Sequence, residues 1–122
     1  MTGESCSKRD VENLRIIIGF CRDIELLTEI HGRSEKDFRE NISLQYGCVF
    51  SLEQIGEHVK RLSSGLKDKY SETDWKGVAG LRDRIVHSYG SIDLSWIRSS
   101  VMEEVPILEA VCETILKDIE TL

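Results

Sequence analysis

Residues 8–31 read KRDVENLRIIIGFCRDIELLTEIH, and this stretch decides the fold class. Its apolar residues recur at steps of three and four, which is the spacing of one face of an α-helix and not the alternation of a strand. Ser7 or Asp10 is expected to cap the start of the helix, and Gly32 stands where a glycine commonly ends one. The apolar face consists of Val11, Leu14, Ile17, Ile18, Cys21, Ile24, Leu27 and Ile30.

A second helical pattern extends from Ser34 to about Arg61. Ser34 and Asp37 have the spacing of a capping box, in which each side chain accepts a hydrogen bond from the backbone of the other residue. Gly47 and Gly56 interrupt the apolar spacing, and a glycine inside a helix costs about 1 kcal/mol relative to alanine. We therefore expect one helix over this range, with the two glycines marking close contacts between helices.

Shorter helical patterns fill the second half of the chain. Residues 66–70 can form one turn, and a third helix is predicted from Trp75 to about Ser88 with Gly80 inside it. A last pattern starts at Asp93 and keeps helical spacing to the C-terminus, although Pro106 interrupts it. Because proline is tolerated in the first turn of a helix and not in its interior, we expect one helix over residues 93–104 and a new or kinked helix from Pro106 onward.

The composition agrees with this helical reading. The chain has 122 residues with one proline and nine glycines, which leaves little room for irregular segments and fits a single domain over residues 1–122. We predict an all-α fold, an up-and-down bundle of four to five helices joined by short loops. The longest apolar run is far shorter than the roughly 20 residues that cross a membrane, and no signal peptide is visible, so a cytoplasmic protein is expected.

Cysteine spacing and net charge restrict the function. The four cysteines lie far apart without a C-x-x-C pair, so we expect core or incidental thiols and neither a zinc site nor a disulfide framework. The net charge of −6 disfavours broad, charge-driven binding of nucleic acid, so an RNA substrate would have to meet a local basic cluster; a basic partner protein is the other possibility. The middle of the chain offers cations that could guide RNA, although a solvated face explains them equally well: Lys60, Arg61, Lys67, Lys69 and Lys76.

The densest group of reactive side chains is RDRIVHSY at residues 82–89, where the third predicted helix ends. Asp83 and His87 are four residues apart and share a helix face, where the carboxylate can hold the tautomer of the imidazole. Arg84 is three residues before His87 and is also its neighbour. Arg82 and His87 are five residues apart and diverge by about 140° around an ideal helix. Either the helix loosens near His87 or a second subunit completes the site.

These residue types suit the cleavage of RNA. A histidine can take the proton from a 2′-hydroxyl or give one to the leaving 5′-oxygen, while arginine stabilises the negative phosphorus transition state. No clustered carboxylates indicate a Mg²⁺ site, so a reaction without a metal or cofactor is expected, and it would leave a 2′,3′-cyclic phosphate. Taken alone, an arginine and a histidine at this spacing often occur by chance, and a histidine near a helix C-terminus can simply be a favourable cap.

Residues 82–89 match the R-x4-H-x-Y motif of HEPN-domain proteins and resemble their HepT-like toxin branch. Flanking segments are similar to the family in the same order. Residues 55–62 resemble its I-G-E-A-x-K-x-L segment, residues 70–80 its connector around a tryptophan, and residues 93–108 its tail ending in D-L-P-x-L. The resemblance covers nearly the whole chain, from about Asp10 to the C-terminus.

The resemblance implies the toxin of a type II toxin–antitoxin module of the MNT/HEPN kind, a metal-independent endoribonuclease that acts on tRNA or mRNA. Such toxins are helical bundles that form homodimers and bring two R-x4-H motifs together in a cleft, which would relieve the divergence of Arg82 and His87. Their antitoxin is a small nucleotidyltransferase of the MNT type. It binds the toxin and adds AMP to the motif tyrosine, which is Tyr89 here.

The resemblance assigns roles and leaves alternatives. It implies that Arg82 and His87 are catalytic and that Asp83 and Arg84 support them. Glu57 either orients Arg82 or is a solvated residue on a helix face. The alternative function is a non-catalytic HEPN subunit that binds a nucleotide or substrate for a partner nucleotidyltransferase, and a plain dimeric scaffold is a third possibility.

The remaining aromatic and histidine side chains are expected to have structural roles. Trp75 and Trp96 are predicted to be core or dimer anchors and not platforms for stacking bases, because basic and aromatic residues do not alternate around them. His31 and His58 have no partners in sequence and are expected at surface or capping positions.

Overall fold

The computed structural model describes residues 8–87 and 93–121, with the backbone alone at residues 86 and 87. The first helix, α1 (Lys8–His31), has the bounds that the apolar spacing predicts. Gly32 follows it with a φ of 107°, and the Gly32 N–H donates to the carbonyl oxygen of Thr28. Since glycine adopts this left-handed conformation without the strain that other residues suffer, Gly32 stops α1 as predicted.

The other helices are shorter than α1 and succeed one another with brief connections. All regular structure within the described ranges is helical, which confirms the predicted all-α class. A π-helical turn (Ser100–Glu104) joins the last two helices. The bounds are α2 (Glu35–Glu40), α3 (Ile42–Lys60), α4 (Ser64–Lys69), α5 (Trp75–Ala79), α6 (Leu81–His87), α7 (Leu94–Ser99) and α8 (Val105–Glu120).

Helix α1 is the central element, with α3 and α8 antiparallel to it. At one end of the α1–α3 pair, the buried carboxylate of Asp10 accepts hydrogen bonds from the backbone N–H (2.8 Å) and the hydroxyl (2.7 Å) of Ser63. At the other end, Asn41 Nδ2 lies 3.2 Å from His31 Nδ1. Asp10 therefore ties the start of α1 to Ser63, the residue that caps α4. Whether Ser7 or Asp10 caps α1 stays a prediction, since Ser7 lies outside the described residues.

The prediction of one helix from Ser34 to about Arg61 is wrong, because this range contains two helices, α2 and α3. Asn41 has an extended backbone (φ −111°, ψ 105°) that ends α2, and its side chain accepts a hydrogen bond from Leu44 N–H at 2.9 Å to begin α3. The predicted capping box is present, with Ser34 and Asp37 exchanging side-chain and backbone hydrogen bonds of 3.0 and 3.1 Å. A residue that both ends one helix and caps the next explains how the chain turns here without a loop.

The third predicted helix is also divided, since α5 ends at Ala79 and α6 begins after Gly80. Its predicted end at residues 88–90 lies outside the described residues. The helix predicted over residues 93–104 is shorter, since α7 ends at Ser99, and the new helix expected around Pro106 is α8, which begins at Val105. Between the two lies the π-helical turn, in which the Val105 N–H donates to the carbonyl oxygen of Ser100. The wider turn accommodates a residue that has no N–H of its own and whose ring crowds the preceding turn.

The core lies between α1, α3 and α8, with α5, α6 and α7 closing it on the far side of α3. Three of the four cysteines belong to this core as free thiols, as predicted, and Cys6 lies outside the described residues. Over the described ranges, no helix combines the length and the apolar character needed to cross a membrane. The largest fully buried apolar side chains of this core are Leu14, Ile17, Ile24, Phe38, Leu44, Leu52, Ile55, Leu66, Ile97 and Ile115.

Both glycines of α3 lie at close contacts between helices, as expected. A Cβ atom at Gly47 would stand 2.5 Å from a methyl carbon of Leu27 on α1. A Cβ atom at Gly56 would stand 3.1 Å from the carbonyl oxygen of Val78 and 3.4 Å from that of Ala79. Leucine can rotate away, whereas carbonyl oxygens move only with the backbone, so Gly56 sets how closely α3 approaches α5 and α6.

We expect Gly56→Ala to lower the free energy of unfolding by roughly 1–3 kcal/mol, because the added methyl group must displace helix backbone. Gly19→Ala is the matched control, since Gly19 is exposed on α1 and has nothing within 4 Å of its Cβ position. This control should raise stability by up to about 1 kcal/mol through helix propensity alone. Urea denaturation of the two variants measures both effects, and a stabilising Gly56→Ala would contradict the close contact.

Candidate functional site

Helix α6 carries residues 82–87 of the RDRIVHSY segment and is held against α3 by two apolar side chains. Leu81 and Ile85 are four residues apart, share one face and are both buried. Between them Arg82, Asp83 and Arg84 are exposed. The burial of Leu81 and Ile85 thus fixes the rotation of α6 and directs its charged residues outward.

Arg82 lies beside Glu57, the residue that follows Gly56. The Arg82 Nε atom is 3.8 Å from Glu57 Oε1, and Lys60 Nζ lies 3.6 Å from the same oxygen. The Arg82 side chain keeps 48% of its surface exposed. A pair this exposed contributes little to stability, and 3.8 Å is an electrostatic contact and not a hydrogen bond. One carboxylate between two cations leaves a local excess of positive charge that can meet a phosphate.

Arg84 points to a different neighbour, the indole of Trp96 on α7. Its guanidinium carbon lies 3.9 Å from the centre of the ring, which is the geometry of a cation–π contact. Trp96 is half-buried against the core, as an anchor would be, but the contact with Arg84 was not predicted. The two residues are twelve positions apart on different helices, and no local pattern in the sequence links them.

Of the last two motif residues, His87 belongs to α6 by its backbone, and Tyr89 lies outside the described residues. Helix α6 continues through His87, so the backbone does not loosen between Arg82 and His87. The positions of these two residues therefore diverge by about 140° around one regular helix. The side chain of His87 and all of Tyr89 lie outside the described residues, so the predicted pairing of Asp83 with His87 stays a prediction.

A groove opens beside α6, on the side where Arg84 and Trp96 meet. It has a volume of about 580 Å³ and lies between α5–α6 and α7–α8. Leu108 and Val111 of α8 form its apolar floor, and Glu104 and Asp74 supply carboxylates at its walls. This volume falls within the usual range for small-ligand sites.

The other candidate residues are structural in the described part of the chain. Trp75 is buried, as predicted, and its indole N–H donates to the carbonyl oxygen of Tyr70 at 3.0 Å. His58 is also buried, which corrects its expected surface position; its Nδ1 atom lies 2.8 Å from the carbonyl oxygen of Gln54. His31 is half-buried beside Asn41 at the start of α3, consistent with the expected surface or capping position.

The buried cysteines are unsuited to nucleophilic chemistry. Burial raises the pKa of the Cys48 thiol to about 12, and burial with neighbouring carboxylates raises that of Cys112 to about 12. Burial likewise raises the pKa of Cys21. These groups stay neutral thiols at pH 7, whereas the thiolate is the reactive form. Among the described residues, no three His, Cys, Asp or Glu side chains converge into a possible metal site.

Comparison with known sequences places the chain among ribonucleases. The profile of the family described as ribonuclease HepT-like matches residues 14–115. A protein of Caldanaerobacter subterraneus that is provisionally named an RNase is 36% identical over 92 residues, which is 75% of this chain and 82% of the relative. A provisionally named RNase of Methanocaldococcus jannaschii is 32% identical over 114 residues, which is 93% of each chain.

A third relative carries the name of the family itself. The protein of Thermococcus cleftensis that is provisionally named ribonuclease HepT is 29% identical over 82 residues, which is 67% of this chain and 74% of the relative. No solved structure matches the chain significantly. The HEPN and HepT-like resemblance of the sequence is therefore confirmed at the level of the family.

Proposed function

This chain belongs to the HepT-like ribonuclease family, and we propose that it is an endoribonuclease that acts as the toxin of a type II toxin–antitoxin module. One observation carries the proposal. The guanidinium of Arg82 lies 3.8 Å from the Glu57 carboxylate and remains half exposed, on the short helix that also contains His87. An accessible cation and a histidine on one helix are the groups that chemistry at a phosphodiester needs.

The proposed reaction needs only groups of the protein, the RNA and water. His87 takes the proton of a 2′-hydroxyl, and the 2′-oxygen attacks the adjacent phosphorus. The bond between phosphorus and the 5′-oxygen breaks as that oxygen takes a proton from water. Arg82 stabilises the extra negative charge on phosphorus in the transition state. The products are a 2′,3′-cyclic phosphate and a 5′-hydroxyl, and no metal takes part.

We propose that the site is completed in a homodimer, because one regular helix does not direct Arg82 and His87 to the same point. The distribution of exposed apolar side chains supports a second copy on α1 and α3. Six of the seven large apolar residues that are exposed in the described part of the chain lie on these two helices. They are Ile16, Leu26 and Ile30 of α1, and Ile42, Tyr46 and Phe50 of α3.

The exposed apolar residues of α3 lie on the face that also carries Glu57, at the candidate site. Ile42, Tyr46 and Phe50 recur every four residues on one face, and Glu57 follows Phe50 by about two turns on the same face. A second copy that covers Phe50 would therefore lie beside Glu57 and its partner Arg82. In this arrangement, Arg82 of one copy acts together with His87 of the other.

The proposal also names a substrate class and a regulator. We infer that the substrate is tRNA or mRNA in the cytoplasm and that the antitoxin is a nucleotidyltransferase of the MNT type. Transfer of AMP to the hydroxyl of Tyr89 would add bulk and negative charge two residues after His87. Both effects oppose the entry of an RNA phosphate.

We expect the purified protein to cleave RNA in the presence of EDTA and to leave 2′,3′-cyclic phosphate ends. His87→Ala should lower the rate by about 10²- to 10⁴-fold, because it removes the general base. Mass spectrometry of the fragments and growth of bacteria that express each form measure the two outcomes. A wild-type protein that leaves RNA intact would refute the nuclease, and RNA binding without cleavage would favour the non-catalytic HEPN subunit.

We expect an equimolar mixture of Arg82→Ala and His87→Ala protein to regain about a quarter of the wild-type rate, since half of the dimers are mixed and each has one intact site. Phe50→Glu added to both variants should abolish this recovery and yield monomers in sedimentation equilibrium. Ala110→Glu is the matched control, because Ala110 is exposed on α8 and does not line the groove beside α6. If the mixture forms dimers and its cleavage rate does not recover, each site uses Arg82 and His87 of the same subunit.

We expect co-expression with a neighbouring nucleotidyltransferase to increase the mass of the protein by one or more AMP groups and to abolish RNA cleavage. Tyr89→Phe should keep its unmodified mass, because the hydroxyl that accepts AMP is absent. Intact-mass spectrometry makes the comparison. An AMP-sized increase that persists in Tyr89→Phe would exclude this tyrosine as the acceptor.

A further inference from the structure

The groove between α5–α6 and α7–α8 lies on the side of α6 opposite Arg82. Arg82 and Arg84 are two residues apart and therefore diverge by about 160° around the helix. Arg84 and His87 are three residues apart, and their positions diverge by only about 60°. Arg84 and the His87 of the same chain thus lie on the same side of α6, and the groove begins on that side.

The chemistry of the groove fits a nucleobase. Its lining includes the half-buried indole of Trp96 together with the apolar side chains of Leu108 and Val111. Every base has an apolar face that stacks on an aromatic ring, whatever its sequence. Glu104 and Asp74, which also line the groove, are acceptors of the kind that meet the exocyclic amino groups of bases.

The charges within the groove decide which part of a nucleotide enters it. Glu72, Asp74 and Glu104 all line the groove, and these carboxylates repel a phosphate. Arg84 is the cation of the lining, and it is exposed while its guanidinium lies over Trp96. The uncharged base therefore belongs on the apolar floor, and the phosphate belongs beside Arg84, toward His87.

We propose that this groove, with Arg84 and Trp96 at its head, binds a nucleotide of the RNA next to the bond that is cleaved. The inference rests on the proposed ribonuclease function and adds a substrate-binding site to it. Arg84 binds the phosphate of that nucleotide, and Trp96 stacks on its base. The pair thereby holds the strand on the His87 side of α6, where Arg82 of the other copy acts with His87 in the proposed dimer.

Binding is tested separately from cleavage with a fluorescently labelled 2′-O-methyl oligoribonucleotide, which lacks the attacking hydroxyl. Arg84→Gln and Trp96→Leu should each weaken binding to the full chain by roughly 5- to 100-fold, the range for loss of a stacked base. Trp96→Phe keeps an aromatic ring and should retain most of the affinity. Arg39→Gln removes an exposed arginine of α2 that does not line the groove, and should leave the affinity within about two-fold.

Cleavage kinetics of unmodified RNA with the same variants distinguish the new site from the catalytic centre. Arg84→Gln and Trp96→Leu should raise KM and leave kcat close to the wild-type value, because Arg82 and His87 are intact. Circular dichroism confirms that each variant keeps its helical content, and Trp96→Phe provides the test should Trp96→Leu fail to fold. The stacking role is overturned if Trp96→Phe loses more affinity than Arg39→Gln and as much as Trp96→Leu. In that case an aromatic ring at this position does not restore binding.

Two further outcomes would overturn the inference in distinguishable ways. If the wild type cleaves RNA and the Arg84 and Trp96 variants keep its KM and its affinity, the groove does not bind substrate and the proposed function stands. The same conclusion holds if these variants lose only the binding of a nucleotidyltransferase, since the groove is then a protein-docking site. If the wild type neither binds the oligoribonucleotide nor cleaves RNA, the proposed function itself fails.

Discussion

The close approach of α3 to the α5–α6 segment at Gly56 is the contact on which the candidate site depends. Because Gly56 has no Cβ, carbonyl oxygens of α5 come as near as a helix backbone permits. Glu57 is the next residue, so the same approach brings its carboxylate to Arg82 at 3.8 Å. Leu81 and Ile85 then fix the rotation of α6, because both side chains are buried. If α3 and α6 lay farther apart, Glu57 could not reach Arg82, and Arg82 would lie on the surface without this contact.

The acidic net charge and an RNA substrate are compatible because charge acts locally in salt solution. At physiological ionic strength, interactions between exposed charges are largely screened beyond about 8 Å. A phosphate at α6 therefore responds mainly to nearby charges, which include the cations Arg82, Lys60 and Arg84 and the carboxylates of Glu57 and of the groove, and much less to acidic residues across the molecule. Glu57 offsets only part of the charge of Arg82 and Lys60, which share one of its oxygens. Under the proposed function, such a site would favour RNA that presents a defined phosphate over nucleic acid in general.

Local patterns in the sequence predicted most of the helices but not all of their breaks. The bounds of α1 were predicted correctly because apolar spacing and a terminal glycine are properties of consecutive residues. The breaks at Asn41 and Gly80 were missed for a related reason. A break of one residue barely disturbs the three- and four-residue spacing, so the pattern appears continuous across it. The new helix around Pro106 was predicted, because the missing N–H of proline acts within its own turn.

The sequence by itself determined the all-α class, the family motif at residues 82–89 and the importance of the two glycines of α3. It also predicted that Arg82 and His87 diverge on an ideal helix, and the structure showed that α6 stays helical through His87. Only the tertiary structure decided that Asp10 binds Ser63, that His58 is buried, and that Arg84 lies on Trp96 rather than on a neighbour in its own helix. The physical reason is that periodicity defines the faces of a helix, whereas side-chain packing decides which faces meet and at what height along the axes.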